Sequence, residues 1–141
     1  MTNVALVSRK LAMLSEFAQR ARSRRPGSVQ ALAANSELQD ALSMAVLVAI
    51  QESIDIAFHV VADERWGAPS SYAEGFEALA KHGVISPPLA EAMTRAAGLR
   101  NRLAHGYASV DVPRLWTELP QGLEALEEFA RAVGAFVARS R

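Results

Sequence analysis

At 141 residues, half of them apolar and 21% charged, the chain has room for one hydrophobic core and too little length for two ordinary domains, so a single domain over residues 1–141 is expected. Fifteen basic side chains balance fifteen acidic ones, which excludes the global positive field of a general nucleic-acid binder and confines any polyanion binding to a local patch. The absence of cysteine excludes disulfides, thiolate nucleophiles and zinc–thiolate sites, and fits a reducing cytoplasm.

Apolar residues recur at spacings of three and four throughout, the mark of helices with one buried stripe, and no segment reads as a strand. The first helix carries Val4, Val7, Leu11, Leu14, Ala18 and Ala21 on one face and ends near Arg25-Pro26-Gly27. The short apolar patch Val4–Val7 is cut off by Arg9-Lys10, so no secretion signal is visible. The second helix is expected to open at Ser36, with Gln39 as its capping-box partner, and to run to about Asp63. Its middle is apolar nearly all round. Gln51, Glu52 and Asp55 interrupt it before the roughly 20 residues a membrane span needs, so burial within a bundle or at a subunit interface is expected.

Gly67–Ser71 reads as a loop, and Ser71 with Glu74 offers a capping box for a short helix stopping at Gly83. Ser86 followed by Pro87 and Pro88 predicts the cap and first turn of a further helix running through Leu89, Met93, Ala97 and Arg100 towards Gly106. The last helix opens at Asp111, with an expected stripe of Val112, Trp116, Leu119, Leu123, Leu126, Ala130, Val133 and Val137. Pro120 lies inside it and predicts a kink or a short break. Four long helices and one short one define an all-α, up-and-down bundle.

The chemistry gathers in Arg100-Asn101-Arg102-Leu103-Ala104-His105-Gly106-Tyr107. Asn101 and His105 share a helical face, whereas Arg100 and His105 stand about 140° apart around the axis. Arginine's length and the glycine after the histidine still allow them to meet. Solvated cations near a helix C-terminus, with His105 as an end cap, would be the ordinary reading of such a segment. Asn101 and Tyr107 have no part in it.

With arginine, four residues, histidine, one residue and tyrosine, and asparagine directly after the arginine, the segment resembles the HEPN superfamily, and within it the HepT-like toxins of HEPN/MNT toxin–antitoxin pairs. Gly98-Leu99, Val110-Asp111, Trp116, the helix order and the total length resemble the family as well. The resemblance implies a metal-independent, cofactor-free endoribonuclease acting on RNA, whether tRNA or mRNA, as a homodimer with two motifs facing across a cleft. RNA supplies its own nucleophile, the 2'-hydroxyl, so the protein must only move protons and neutralise charge. An imidazole, with an ordinary pKa of about 6.5, assigns proton transfer to His105. Arg100 becomes the charge stabiliser, and Asn101 orients His105 or the phosphate.

The resemblance further implies that a cognate MNT-type nucleotidyltransferase antitoxin attaches AMP to Tyr107 and thereby inactivates the toxin. A HEPN module that no longer cuts RNA but serves a nucleotidyltransferase, and a plain helical dimerisation domain, are the rival readings.

Other residues read more plainly. Glu52, Asp55, His59 and Asp63 recur along one helix face and are expected to form its polar side, partly lining the cleft, since a bundle metal site needs a matching second helix. Arg20, Arg22, Arg24 and Arg25 read as a solvated helix end, His82 as a helix terminus, and Trp66 and Trp116 as core or interface.

Overall fold

The computed structural model describes residues 1–105 and 110–140. Helices α1 (Val4–Arg24), α2 (Val29–Ala33), α3 (Ser36–Asp63), α4 (Tyr72–Lys81), α5 (Pro87–His105) and α6 (Val112–Arg139) follow one another, with no strand among the described residues. The all-α bundle of four long helices is as expected; beside the short α4 there is a second short helix, α2, that the sequence analysis did not foresee.

Short polar side chains set the helix starts. Ser71 Oγ accepts from the Glu74 amide at 3.1 Å, Ser86 Oγ from Leu89 at 3.2 Å, and Asp111 Oδ1 from Arg114 at 3.1 Å, so these three predicted caps form. The Glu74 carboxylate reaches one residue further back than a capping box requires, accepting from the Ser70 amide at 2.5 Å and the Ser70 hydroxyl at 2.6 Å. These bonds hold its carboxyl below the ordinary glutamate range.

The start of α3 differs from expectation by one residue. Because α2 ends at Ala33, the cap must come from the brief turn between the helices, and Asn35 supplies it by accepting from Leu38 at 3.0 Å. Ser36 is thus the first helical residue. Gln39 turns backward and donates to the carbonyls of Leu32 at 2.9 Å and Ala33 at 3.2 Å, which ties off α2.

Helix α3 is the centre of the bundle, packed by α1 on one side and by α4, α5 and α6 on others. Leu42, Ala45, Val46, Ala49, Ile50, Ile54, Ile56, Ala57, Val60 and Val61 are all buried along it. Ser53 is buried among them because its hydroxyl donates to the Ile50 carbonyl at 2.6 Å and needs no water. The helix is long and apolar enough to cross a membrane by composition alone, but 56% of its most apolar window is buried inside the bundle.

In α6 the inward stripe runs Leu115, Leu119, Leu123, Leu126, Phe129, Val133 and Val137. Leu115 therefore takes the place assigned to Trp116, which lies half-buried beside the stripe with the Arg25 guanidinium 3.8 Å above its ring. Phe129 meets Phe76 edge-on at 5.8 Å, joining α6 to α4. Pro120 does not break the helix, which is continuous from Val112 to Arg139. The proline is on the solvent side of the helix.

Candidate active site

Helix α5 buries Leu89, Ala90, Met93, Ala96, Ala97 and Leu99. That register turns the next residue, Arg100, sideways against α3 at half-burial. There its Nε donates to Gln51 Oε1 at 2.9 Å, and its Nη1 donates to Asn101 Oδ1 at 3.2 Å. The Gln51 amide Nε2 in turn donates to Asp55 Oδ1 at 2.9 Å. Lys10, from α1, completes the chain, with Nζ 3.4 Å from both Glu52 Oε2 and Asp55 Oδ2. One run of bonds thus leads from α1 through α3 to the Arg100 guanidinium on α5, whose carbon also stands 6.0 Å from the Tyr72 ring centre.

Two of the four predicted site residues are directly joined, Arg100 and Asn101. Asn101 is exposed, and its described bond is to Arg100 rather than to His105. His105 is the last residue of α5 and is exposed; no hydrogen bond among the described residues links it to Arg100 or Asn101. Five residues of helix separate Arg100 from His105 by about 7.5 Å along the axis and 140° around it. Tyr107 lies outside the described residues.

Five further basic residues are engaged among the described residues. Arg102 pairs with Glu118, whose other oxygen is 2.8 Å from Arg114 Nε. Arg20 pairs with Glu16 at 2.7 Å and Arg22 with Glu127 at 2.6 Å; that bond and the glutamate's charge raise the Arg22 pKa. Apart from Arg25, which covers Trp116, this is the solvated helix end expected of the first cluster.

Of the polar residues along α3, Glu52 and Asp55 face Lys10, Asp63 Oδ2 accepts from the Asn3 amide at 2.9 Å, and His59 is half-buried. Their described partners are cationic or amide donors, and no group of three or more metal-ligating side chains gathers among the described residues. Trp66 stacks flat on His82 at 4.2 Å and tilts against Phe136 at 6.0 Å, pinning the loop after α3.

Sequence reasoning missed Gln51 and Tyr72 as neighbours of the motif. The trace of Gln51 was there: polar residues at 51, 52 and 55 interrupt an otherwise apolar helix, with 51 and 55 one turn apart.

The all-α bundle, with an arginine–asparagine pair and an exposed histidine on the last turns of α5, fits the HEPN resemblance read from the sequence. The family described as "Ribonuclease HepT-like" matches residues 10–133, and the chain belongs to that family. It is similar to the mRNA nuclease HepT of Shewanella oneidensis, with 29% identity over 98 residues that cover 70% of this chain and 74% of that protein. It is also similar to the tRNA nuclease HepT of Aphanizomenon flos-aquae, at 28% identity over 62% of this chain and 59% of that protein's length. In fold, it matches the tri-AMPylated Shewanella oneidensis HEPN toxin solved in complex with MNT antitoxin, with a TM-score of 0.83 and 24% identity over 96% of this chain and 99% of that one. The cytosolic protein YutE of Bacillus subtilis, of unknown function, shares the fold with a TM-score of 0.85 and 14% identity over 99% of this chain and 93% of that one.

Proposed function

We propose that this chain is a single-domain, cytoplasmic, metal-independent endoribonuclease toxin of a HEPN/MNT pair, working as a homodimer. The observation that carries the reading is the tethered Arg100 on a helix that ends in an exposed His105, in a chain of the HepT-like ribonuclease family. Two relatives named as nucleases of mRNA and tRNA support RNA as the substrate class.

In the proposed reaction, the RNA 2'-hydroxyl loses its proton to one neutral histidine and its oxygen attacks the adjacent phosphorus. The bond from phosphorus to the 5'-oxygen breaks, and that oxygen takes a proton from the histidinium of the second copy. One short motif used twice provides both base and acid. Arg100 cannot lose its proton, and its fork of donors neutralises the charge that accumulates on the phosphate oxygens. The products carry a 2',3'-cyclic phosphate and a 5'-hydroxyl.

Regulation follows from the same segment. An AMP group on Tyr107, two residues beyond His105, adds bulk and negative charge where RNA phosphate must sit. The AMPylated relative bound to its MNT antitoxin supports a nucleotidyltransferase as the partner that adds it.

Incubation of the purified protein with total RNA in EDTA tests the nuclease reading. Cleavage by the wild type and its loss in His105→Ala are expected; equal cleavage by both overturns the assignment. Co-expression with a cognate MNT-type nucleotidyltransferase should add roughly 329 Da per AMP, absent in Tyr107→Phe. An adduct that persists in the phenylalanine variant places the acceptor elsewhere.

A further inference from the structure

We propose that Gln51, itself oriented by Asp55, is the positioning residue for Arg100, a neutral acceptor that holds the guanidinium by its Nε and directs the outer N–H groups at the substrate phosphate. The proposal rests on the nuclease reading above.

The orientation of the Gln51 amide is fixed by its neighbours. Arginine offers only donors and an ionised carboxylate only acceptors, so the carbonyl oxygen must face Arg100 Nε and the NH2 must face Asp55, as both 2.9 Å distances have it. A flipped amide would set donor against donor and acceptor against acceptor. Asp55 therefore works at one remove, by deciding which end of Gln51 meets the arginine. Lys10, 3.4 Å from Asp55 and Glu52, offsets part of the negative charge of the two carboxylates.

The arrangement also uses Arg100 economically. Of the five N–H groups of a guanidinium, Nε is taken by Gln51 and one on Nη1 by Asn101, leaving three for a ligand among the described residues. A neutral partner preserves the full positive charge for the phosphate. A glutamate at position 51 would hold Arg100 more strongly and cancel that charge, so grip and catalysis are expected to move in opposite directions.

That opposition separates positioning from simple structural support. RNA cleavage rates and thermal unfolding are measured for Gln51→Leu, Gln51→Glu, Arg100→Ala and the double variant Gln51→Leu/Arg100→Ala. Gln51→Leu is expected to cleave about tenfold more slowly than wild type and Gln51→Glu at least as slowly, both melting within a few degrees of it. In the Arg100→Ala background, Gln51→Leu should have no further effect, because its influence passes through the arginine. Wild-type rates in both Gln51 variants with Arg100→Ala slowed to a residual rate would overturn the positioning role and leave the nuclease reading standing. A further loss in the double variant overturns it too. Wild-type cleavage by Arg100→Ala itself removes the reading on which the proposal rests.

Discussion

Replacing Arg100 by lysine keeps the charge and removes the fork, which makes Arg100→Lys the most discriminating single change at the site. Arg100 holds Gln51 through Nε at 2.9 Å and Asn101 through Nη1 at 3.2 Å, and no other described residue takes its remaining N–H groups. A lysine has one nitrogen. If it reaches towards the phosphate it abandons Gln51, and if it stays with Gln51 its single ammonium cannot set a parallel pair of donors on the phosphate. The loss is then one charge-assisted hydrogen bond in the transition state, about 1.5–3 kcal/mol. At about 1.4 kcal/mol per tenfold in rate, that corresponds to a rate about 10- to 150-fold below wild type. The half-buried Gln51 carbonyl loses its partner as well, for a stability cost of about 0.5–1.5 kcal/mol. Single-turnover cleavage of a labelled RNA gives the first quantity and urea unfolding the second. A lysine variant that cleaves at the wild-type rate shows that charge alone suffices and that the forked geometry has no part in catalysis.

Two further expectations concern the scaffold. The Glu74 carboxyl is held below the ordinary 4.5 by the Ser70 hydroxyl and then by the Ser70 amide. The unfolded state therefore takes up the proton first, so this contribution is fully present above that ordinary value and fades as pH falls through the lower folded one. Unfolding of Glu74→Gln followed from pH 6 down to about pH 3 should show a shallower acid loss than wild type; parallel profiles would contradict the bonding at Ser70. Phe129 is fully buried against Phe76, and Phe129→Ala should lower unfolding free energy by about 3–5 kcal/mol, measured in urea. A loss under about 1 kcal/mol would mean that α4 and α6 are not packed through this pair.

Much of the scaffold was legible because its causes are local. Apolar spacing located the four long helices, and Ser71, Ser86 and Asp111 announced helix starts through side chains that cap amides three residues on. Helix α2, at five residues, is too short for periodicity to register, and with it hidden Ser36 looked like the cap that Asn35 provides. In the stripe of α6, Leu119, Leu123, Leu126, Val133 and Val137 are buried as expected, but Leu115 and Phe129 fill the core where Trp116 and Ala130 were expected, and Arg25 covers the tryptophan ring at the surface.

The site divides along the same line. The motif is contiguous in sequence, so Arg100, Asn101, His105 and Tyr107 could be named without a fold. The partners of Arg100 could not, since Gln51 lies 49 residues away and becomes its neighbour only when α5 packs on α3. Gln51 was visible only as an interruption in an apolar helix, a pattern that fits solvent exposure and function equally well.

The proposed use of the RNA's own 2'-hydroxyl is the step from which every other proposed role at the site follows. A substrate RNA carrying a single 2'-deoxy nucleotide on the 5' side of the cleaved bond tests it directly, in EDTA and beside an all-ribose control. The site described predicts that cleavage at that bond disappears while binding persists. Cleavage of the deoxy substrate at the control rate would mean that an external nucleophile attacks the phosphate, and the roles given to Arg100 and His105 would have to be abandoned.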